Sequence, residues 1–335
     1  MSPRFPIIDA HAHMAADDAE TQALLTALDV RVLNIALGLD SDGKWRQPSD
    51  FGSMRFCELS RRSPDRFAWC TSFDLPRFTD PEYAERVIAE LERDVADGAV
   101  ACKVWKNVGM EVRDPHGNFV LLDHPILRPV FEHLERRRLP VILHVGEPKA
   151  CWLPLDERSP HHDYYRDHPE WHMVGRSDVP SWESLQGARD RVLARHPRLT
   201  VVGAHLGSIE HDLVELGRRL ERFPNLAVDS GGRLLDLALQ EPAAVRAFFE
   251  RYSDRILFGS DICLPRAQSE MDSEERRRSR GEIERAYGIA LDYFTSQRSL
   301  ELGRHRFQGI ALAERDQKRF FSANAHTWLN LESRA

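Results

Sequence analysis

The chain has 335 residues, 42% hydrophobic, 30% charged and 9% aromatic, a soluble globular composition with enough apolar mass for a large core. Lysine and arginine total 46 against 53 acidic residues, a formal charge of −7, and without a long basic stripe this argues against nucleic acid as a partner. No apolar stretch approaches the roughly 20 residues of a membrane span, and five scattered cysteines with no CxxC pair argue against a disulfide framework or a thiolate zinc site.

In chain order, eight short apolar runs recur at 6–13, 30–39, 66–75, 99–105, 139–145, 199–207, 225–230 and 255–261. They are rich in Val, Ile, Leu and Phe without clean polar alternation, as expected of strands buried on both faces of a parallel sheet. Helical spacing lies between them, at 79–98, 124–138, 181–197 and 209–224; the first ends on Gly98, a C-cap signal. Eight strands alternating with helices predict an α/β fold, a (β/α)8 TIM barrel. An open doubly wound sheet is the alternative, but no GxGxxG follows the first strand. Residues 146–182, rich in Trp, Tyr, His and Pro, form an extended loop after strand 5, read as a lid-like insertion. Residues 264–335 read as helices that close the barrel, giving one domain over 1–335. The runs Arg136–Arg138 and Arg276–Arg278 read as solvated helix faces. The start MSPRFPIIDAHAH leaves no room for a signal peptide, so a cytoplasmic location is expected.

His11 and His13 sit two apart at the end of the first strand, so both imidazoles point the same way and can share one metal ion. His144, His205 and Asp261 end the fifth, sixth and eighth strands. Residues at the C-terminal ends of different strands meet only if the barrel closes, and that rim is where barrel active sites lie. Asp9 shares the parity of His11 but lies deeper, so it is expected to support the ligands or pack rather than bind metal.

The motifs DAHAH (9–13), the Lys103 strand, HVGEP (144–148), GAHLGS (203–208), GSD (259–261) and, loosely, NAHTWL (324–329) resemble the amidohydrolase superfamily, in particular the amidohydrolase-related branch that includes aminocarboxymuconate semialdehyde decarboxylase. The resemblance implies that His11, His13, His144 and Asp261 hold one divalent ion, that Asp261 is a general base that later returns the proton, and that His205 polarises the scissile carbonyl or stabilises developing charge. Three imidazoles and a carboxylate suit zinc first, with manganese, iron or cobalt fitting similar shells. In binuclear branches a carboxylated lysine bridges two metals. Lys103 makes that second-metal arrangement available, but the branch favours one ion. Unmodified, Lys103 could pair with Glu147 or a substrate carboxylate.

Further substrate candidates are Trp105, by stacking; Glu147, by orienting a ligand or Lys103; and Arg233, as a carboxylate clamp. Trp105 could equally be packing, Glu147 solvated and Arg233 a surface pair. His161, His162, His168 and His172 could reach substrate or a second metal, although loop histidines are usually solvated. Trp152, Trp171 and Trp182 could line or anchor the insertion. The expected activity is metal-dependent hydrolysis of a small carboxylated amide, ester or lactone. A non-oxidative decarboxylase or hydratase with the same site is the alternative, and a catalytically inactive binding barrel the third. The partner is a small molecule, with no nucleic acid or membrane, and exposed barrel helices would allow a homodimer.

Overall fold

The computed structural model describes residues 5–331 apart from 37, 40–44, 47–53, 74–75, 77 and 265. Residue 37 of the second apolar run, 74–75 at the end of the third, and residue 265 and 332–335 of the C-terminal segment therefore lie outside the described residues.

All eight expected strands are present: β1 (Ile7–Met14), β2 (Val30–Ile35), β3 (Phe67–Ser72), β4 (Ala99–Val104), β5 (Val141–Leu143), β6 (Val201–Gly203), β7 (Leu226–Asp229) and β8 (Ile256–Leu257). Each pairs in parallel with the next. The cylinder closes where the chain beyond β8 runs along β1. Ala10 N donates to Phe258 O at 2.8 Å, Asp261 N to His11 O at 2.7 Å and His13 N to Ile262 O at 2.8 Å, and Cys263–Leu264 continues the pairing against His13 and Met14. The fold is a (β/α)8 barrel.

Helices α1 (Ala19–Ala27), α2 (Met54–Arg62), α3 (Tyr83–Ala96), α4 (Arg128–Arg137), α5 (Trp182–Arg195), α6 (Leu213–Arg222), α7 (Pro242–Arg251) and α8 (Ser273–Thr295) follow the eight strands in turn. Their starts are set by short polar side chains that accept otherwise unpaired N–H groups: Asp18 for α1, Ser181 for α5 and Asp212 for α6. Asp272 and Glu275 cap α8 reciprocally. Gly98, at φ +95°, follows the end of α3. Among the described residues no helix is long and apolar enough to cross a membrane.

The strands divide their side chains between two cores. Ile8, Leu33, Cys70, Ala101, Ile142, Val202, Ala227 and Leu257 fill the barrel interior. Ile7, Val32, Trp69, Val104, Val141, Val201, Val228 and Ile256 pack outward beneath the helices. The interior core also takes Ala325 and Leu329, from Asn324–Leu329, and Asn324 Nδ2 donates to Ser253 O and Ile256 O at 2.8 and 2.7 Å. Contrary to the all-helical reading of 264–335, the C-terminal segment also contains strands. Ser299–Leu302 and His305–Gln308 form an antiparallel hairpin. Gly303, at φ +60°, starts its tight turn, a backbone state that glycine enters without steric cost.

Residues 146–182 hold only short helical turns. Trp152 Nε1 donates to Pro180 O at 3.0 Å and Trp182 Nε1 to Ser208 O at 3.1 Å, so these rings anchor the segment. Of the arginine runs, Arg137 pairs with Glu92 and Arg278 with Glu274.

Candidate active site

The alternation of β1 breaks before the two histidines. Ile8 and Ala10 belong to the barrel interior, whereas Ala12 and Met14 belong to the outer core, and the β1–β2 register shifts between Asp9 and Ala12. A bulge re-aims the side chains that follow it, turning His11 and His13 toward the mouth. Asp9 therefore does not share their parity, contrary to the simple period-two expectation. Its carboxylate accepts from Tyr287 OH at 2.8 Å, from Ser260 Oγ, and from the Ser260 and His11 backbone N–H groups at 3.0 Å. Burial pushes the Asp9 carboxyl up to about 6 against those hydrogen bonds. As expected, it supports the site rather than entering it.

Three imidazoles are held by Nδ1. His11 Nδ1 meets Asp229 Oδ2 at 2.9 Å, His13 Nδ1 meets Ile35 O at 3.0 Å and His205 Nδ1 meets Gly231 O at 2.7 Å. Carbonyl and carboxylate oxygens only accept, so each Nδ1 carries the proton and each Nε2 a lone pair. His11 Nε2 and His13 Nε2 approach Asp261 Oδ1 at 3.5 and 3.7 Å. Two imidazole lone pairs and a carboxylate facing one another call for positive charge, part of which Lys103 Nζ supplies 3.2 Å from His11 Nε2. This donor set fits a divalent metal, and His11, His13 and Asp261 form one convergent group within 4.8 Å. His11, His205 and Asp229 form another, in which Asp229 also accepts from the His205 and Gly231 backbone N–H groups.

Burial, reinforced by neighbouring cations such as Lys103 and Arg233, holds His11, His144 and His205 well below the usual imidazole range. They are neutral, as ligands must be. Asp261 opens to the cavity with 31% of its side chain, yet its depth among protein atoms pushes its carboxyl up to about 6, opposed by Lys103 and Arg233. A bound cation would oppose that rise further.

His144 lines the same cavity and stands edge-on to His205, with ring centroids 4.3 Å apart, but belongs to neither convergent group. Lys103, buried, lies 3.2 Å from His11 Nε2, so it pairs with that imidazole and not with Glu147. Glu147 instead binds Lys106, and accepts from Tyr165 OH at 3.0 Å. Lys106 lies over the Trp171 ring at 4.2 Å. Trp105 lines the cavity. Arg233, nearly buried, also lines it and sits 3.9 Å from Glu210; it is not a surface pair. The expected role of His205 changes. With its proton on Nδ1, Nε2 accepts, and a donor role toward a carbonyl would need a second proton that burial disfavours. The buried Lys103 side chain lines the same cavity.

Sequence reading missed Asp229, Tyr165, Glu210 and Asp236, and placed Lys106 toward the pocket without a role. Asp229 was detectable, being an acidic residue at the C-terminal end of a barrel strand. Of the four loop histidines, His161 alone lines the cavity, which measures about 440 Å³. His162 pairs with Asp163, His168 with Glu170, and His172 with Leu153 O.

Two backbone features hold this geometry. His205, Leu206 and Ser208 all have φ of 55–57° and Gly207 65°, a left-handed turn that L-residues rarely adopt. It is clamped by Arg189 Nη1 on Gly207 O at 2.9 Å, Trp182 on Ser208 O, and Ser208 Oγ on Gly146 O at 2.8 Å. Asp261 is likewise at φ 59°. Such strain persists where surrounding contacts over-determine it, commonly at active sites.

Solved structures similar to this chain share its barrel. An uncharacterized TIM-barrel protein from Bordetella bronchiseptica is 16% identical, covering 98% of this chain and 99% of that one at a TM-score of 0.53. A 2,6-dihydroxybenzoate decarboxylase from Rhizobium is 17% identical over 99% and 100%, at 0.51. A 4-oxalomesaconate hydratase from Rhodopseudomonas palustris is 14% identical over 97% and 96%, at 0.51. No curated protein matches. The amidohydrolase family model matches residues 8–331, nearly the whole length that carries the strand-end histidines and aspartate, and the chain belongs to that family.

Proposed function

We propose that the protein is a metal-dependent hydrolase acting on a small carboxylated amide, ester or lactone. The observation that supports this best is the meeting of His11 Nε2, His13 Nε2 and the Asp261 carboxylate at the barrel mouth. We assign His11, His13, His144 and Asp261 as the residues that would hold the metal, with zinc as the ion that suits them best. Such an ion supplies Lewis acidity and lowers the pKa of water to roughly 7.

The protein's own groups have separate tasks in this reading. Asp261 takes the proton of the attacking water. Lys103 donates to the oxygen on which charge develops. His205 Nε2 accepts a hydrogen bond from substrate or water. Arg233 and Lys106 offer cations to a substrate carboxylate, and Trp105 a ring face. Residues 146–182 act as the lid, contributing Pro160, His161 and Tyr164 to the cavity wall.

Asp261→Asn should abolish turnover while circular dichroism stays that of the parent; full activity in that variant would end the proposal. His11→Ala combined with His13→Ala should remove the metal, and unchanged metal content by elemental analysis would overturn the ligand assignment. A second reading, decarboxylation or hydration at the same residues, is favoured by Lys103. A buried ammonium beside His11 can stabilise negative charge developing on substrate, whether carbon dioxide leaves or water adds across a double bond. Released carbon dioxide, or a product that gains water across a carbon–carbon double bond, as against released amine, alcohol or opened ring, separates the two.

A further inference from the structure

We propose that His161 and Asp236 form a second proton-transfer dyad, set in the loops above the strand-end donors, that protonates the departing group. This rests on the hydrolase reading. His161 comes from the segment after β5 and Asp236 from the short helix Leu234–Ala238 after β7. Their side chains, 15% and 9% exposed, meet with His161 Nε2 2.7 Å from Asp236 Oδ1, and both line the cavity that holds His11, His13 and Asp261.

Asp236 receives the Nε2 proton, which leaves Nδ1 as the exchanging atom; among the described residues no protein group bonds to it. A carboxylate fixing one imidazole nitrogen so that the other can carry a proton is the geometry of general acid–base pairs. Strand-end residues form the floor of a barrel site and loop residues its outer wall. Asp261 activates water at the floor, and the family resemblance would have it return the proton as well; the dyad takes over that second transfer.

Glu210 lies beside the pair, and one atom from each of His161, Glu210 and Asp236 falls within 4.8 Å of the others. Three such groups could also bracket a cation. However, Arg233 Nε stands 3.9 Å from Glu210 Oε2, and neither atom has a hydrogen-bond partner. The guanidinium thus already supplies positive charge there, which favours a dyad over a second metal. In the proposed step, water adds OH to the acyl carbon and its proton goes to Asp261. The carbon–oxygen bond to the alcohol then breaks, its electron pair leaving on oxygen, and the imidazolium Nδ1–H protonates that oxygen. Solvent afterwards removes the proton from Asp261 and restores that of His161.

The test uses the metal-loaded full chain on the succinate half-esters of 4-nitrophenol, phenol and ethanol. His161→Gln and Asp236→Asn should slow the ethyl ester about 100-fold or more and the 4-nitrophenyl ester roughly 3-fold at most, because only a poor leaving group needs the proton. Imidazole should restore ethyl ester cleavage to His161→Gly. An equal loss across the three esters, or none, would overturn the dyad, as would loss of one metal equivalent from His161→Gln. If the parent cleaves none of the three, the hydrolase reading falls and the leaving-group role falls with it. If the parent cleaves them and His161→Gln matches it throughout, the dyad alone falls.

Discussion

Both carboxylate oxygens of Asp229 are committed: one orients His11, the other accepts from the backbone that positions His205 and Gly231. Groups that orient a ligand's second nitrogen commonly contribute 10–100-fold in metal affinity. Asp229→Asn should therefore weaken metal binding by about that factor, read by competition with a chelator, with the fold retained. Gly259 is a tighter constraint. A Cβ there would sit 2.8 Å from His11 Cβ and 3.2 Å from the Gly231 nitrogen. Gly259→Ala should therefore displace His11 and lower metal content, whereas an alanine at Gly288, which meets nothing within 4 Å, should not. At this scale the residue types at the ends of β1, β5, β6 and β8 were legible from sequence, since period-two spacing and strand ends place them. Partnership was not: that Glu147 joins Lys106 rather than Lys103 depends on the path of a loop without periodicity.

The elements were legible where a pattern repeats and obscure where one breaks. Eight buried runs announced eight strands, and Asp18, Ser181 and Asp212 mark helix starts by their chemistry. The shift in β1 has no such signature, because DAHAH reads as clean alternation and only pairing with β2 reveals the extra residue. The 299–308 hairpin escaped for a related reason: its strands are four residues each and mostly exposed. The left-handed turn after β6 depends on α5, whose Arg189 is fully buried and bonds both Gly207 O and Asp190. Arg189→Met leaves the Gly207 carbonyl without its donor, and a buried unsatisfied group costs about 1–3 kcal/mol. Urea unfolding should register that loss, and activity should fall beyond it as the His205 ring loses its placement.

For the whole molecule, stability and metal binding are linked. Ile142 is fully buried in the barrel interior, and Ile142→Ala should cost about 2–5 kcal/mol by chemical denaturation. Metal at roughly 100 times its Kd should add about 2.7 kcal/mol. A chelator should accordingly lower the melting temperature of the parent but not that of the His11→Ala, His13→Ala variant. Barrel closure itself followed from strand count, whereas the seal at its other end, made by Ala325 and Leu329, did not, because nothing in NAHTWL says which opening it fills.

Trp182 is both the first residue of α5 and the last of the segment that lends Pro160, His161 and Tyr164 to the cavity wall, and its indole grips the carbonyl of Ser208. A displacement of that segment would therefore pull on the turn carrying His205. Hydrogen exchange at 205–208 should accordingly slow when a ligand settles against that wall, even one that never touches the turn.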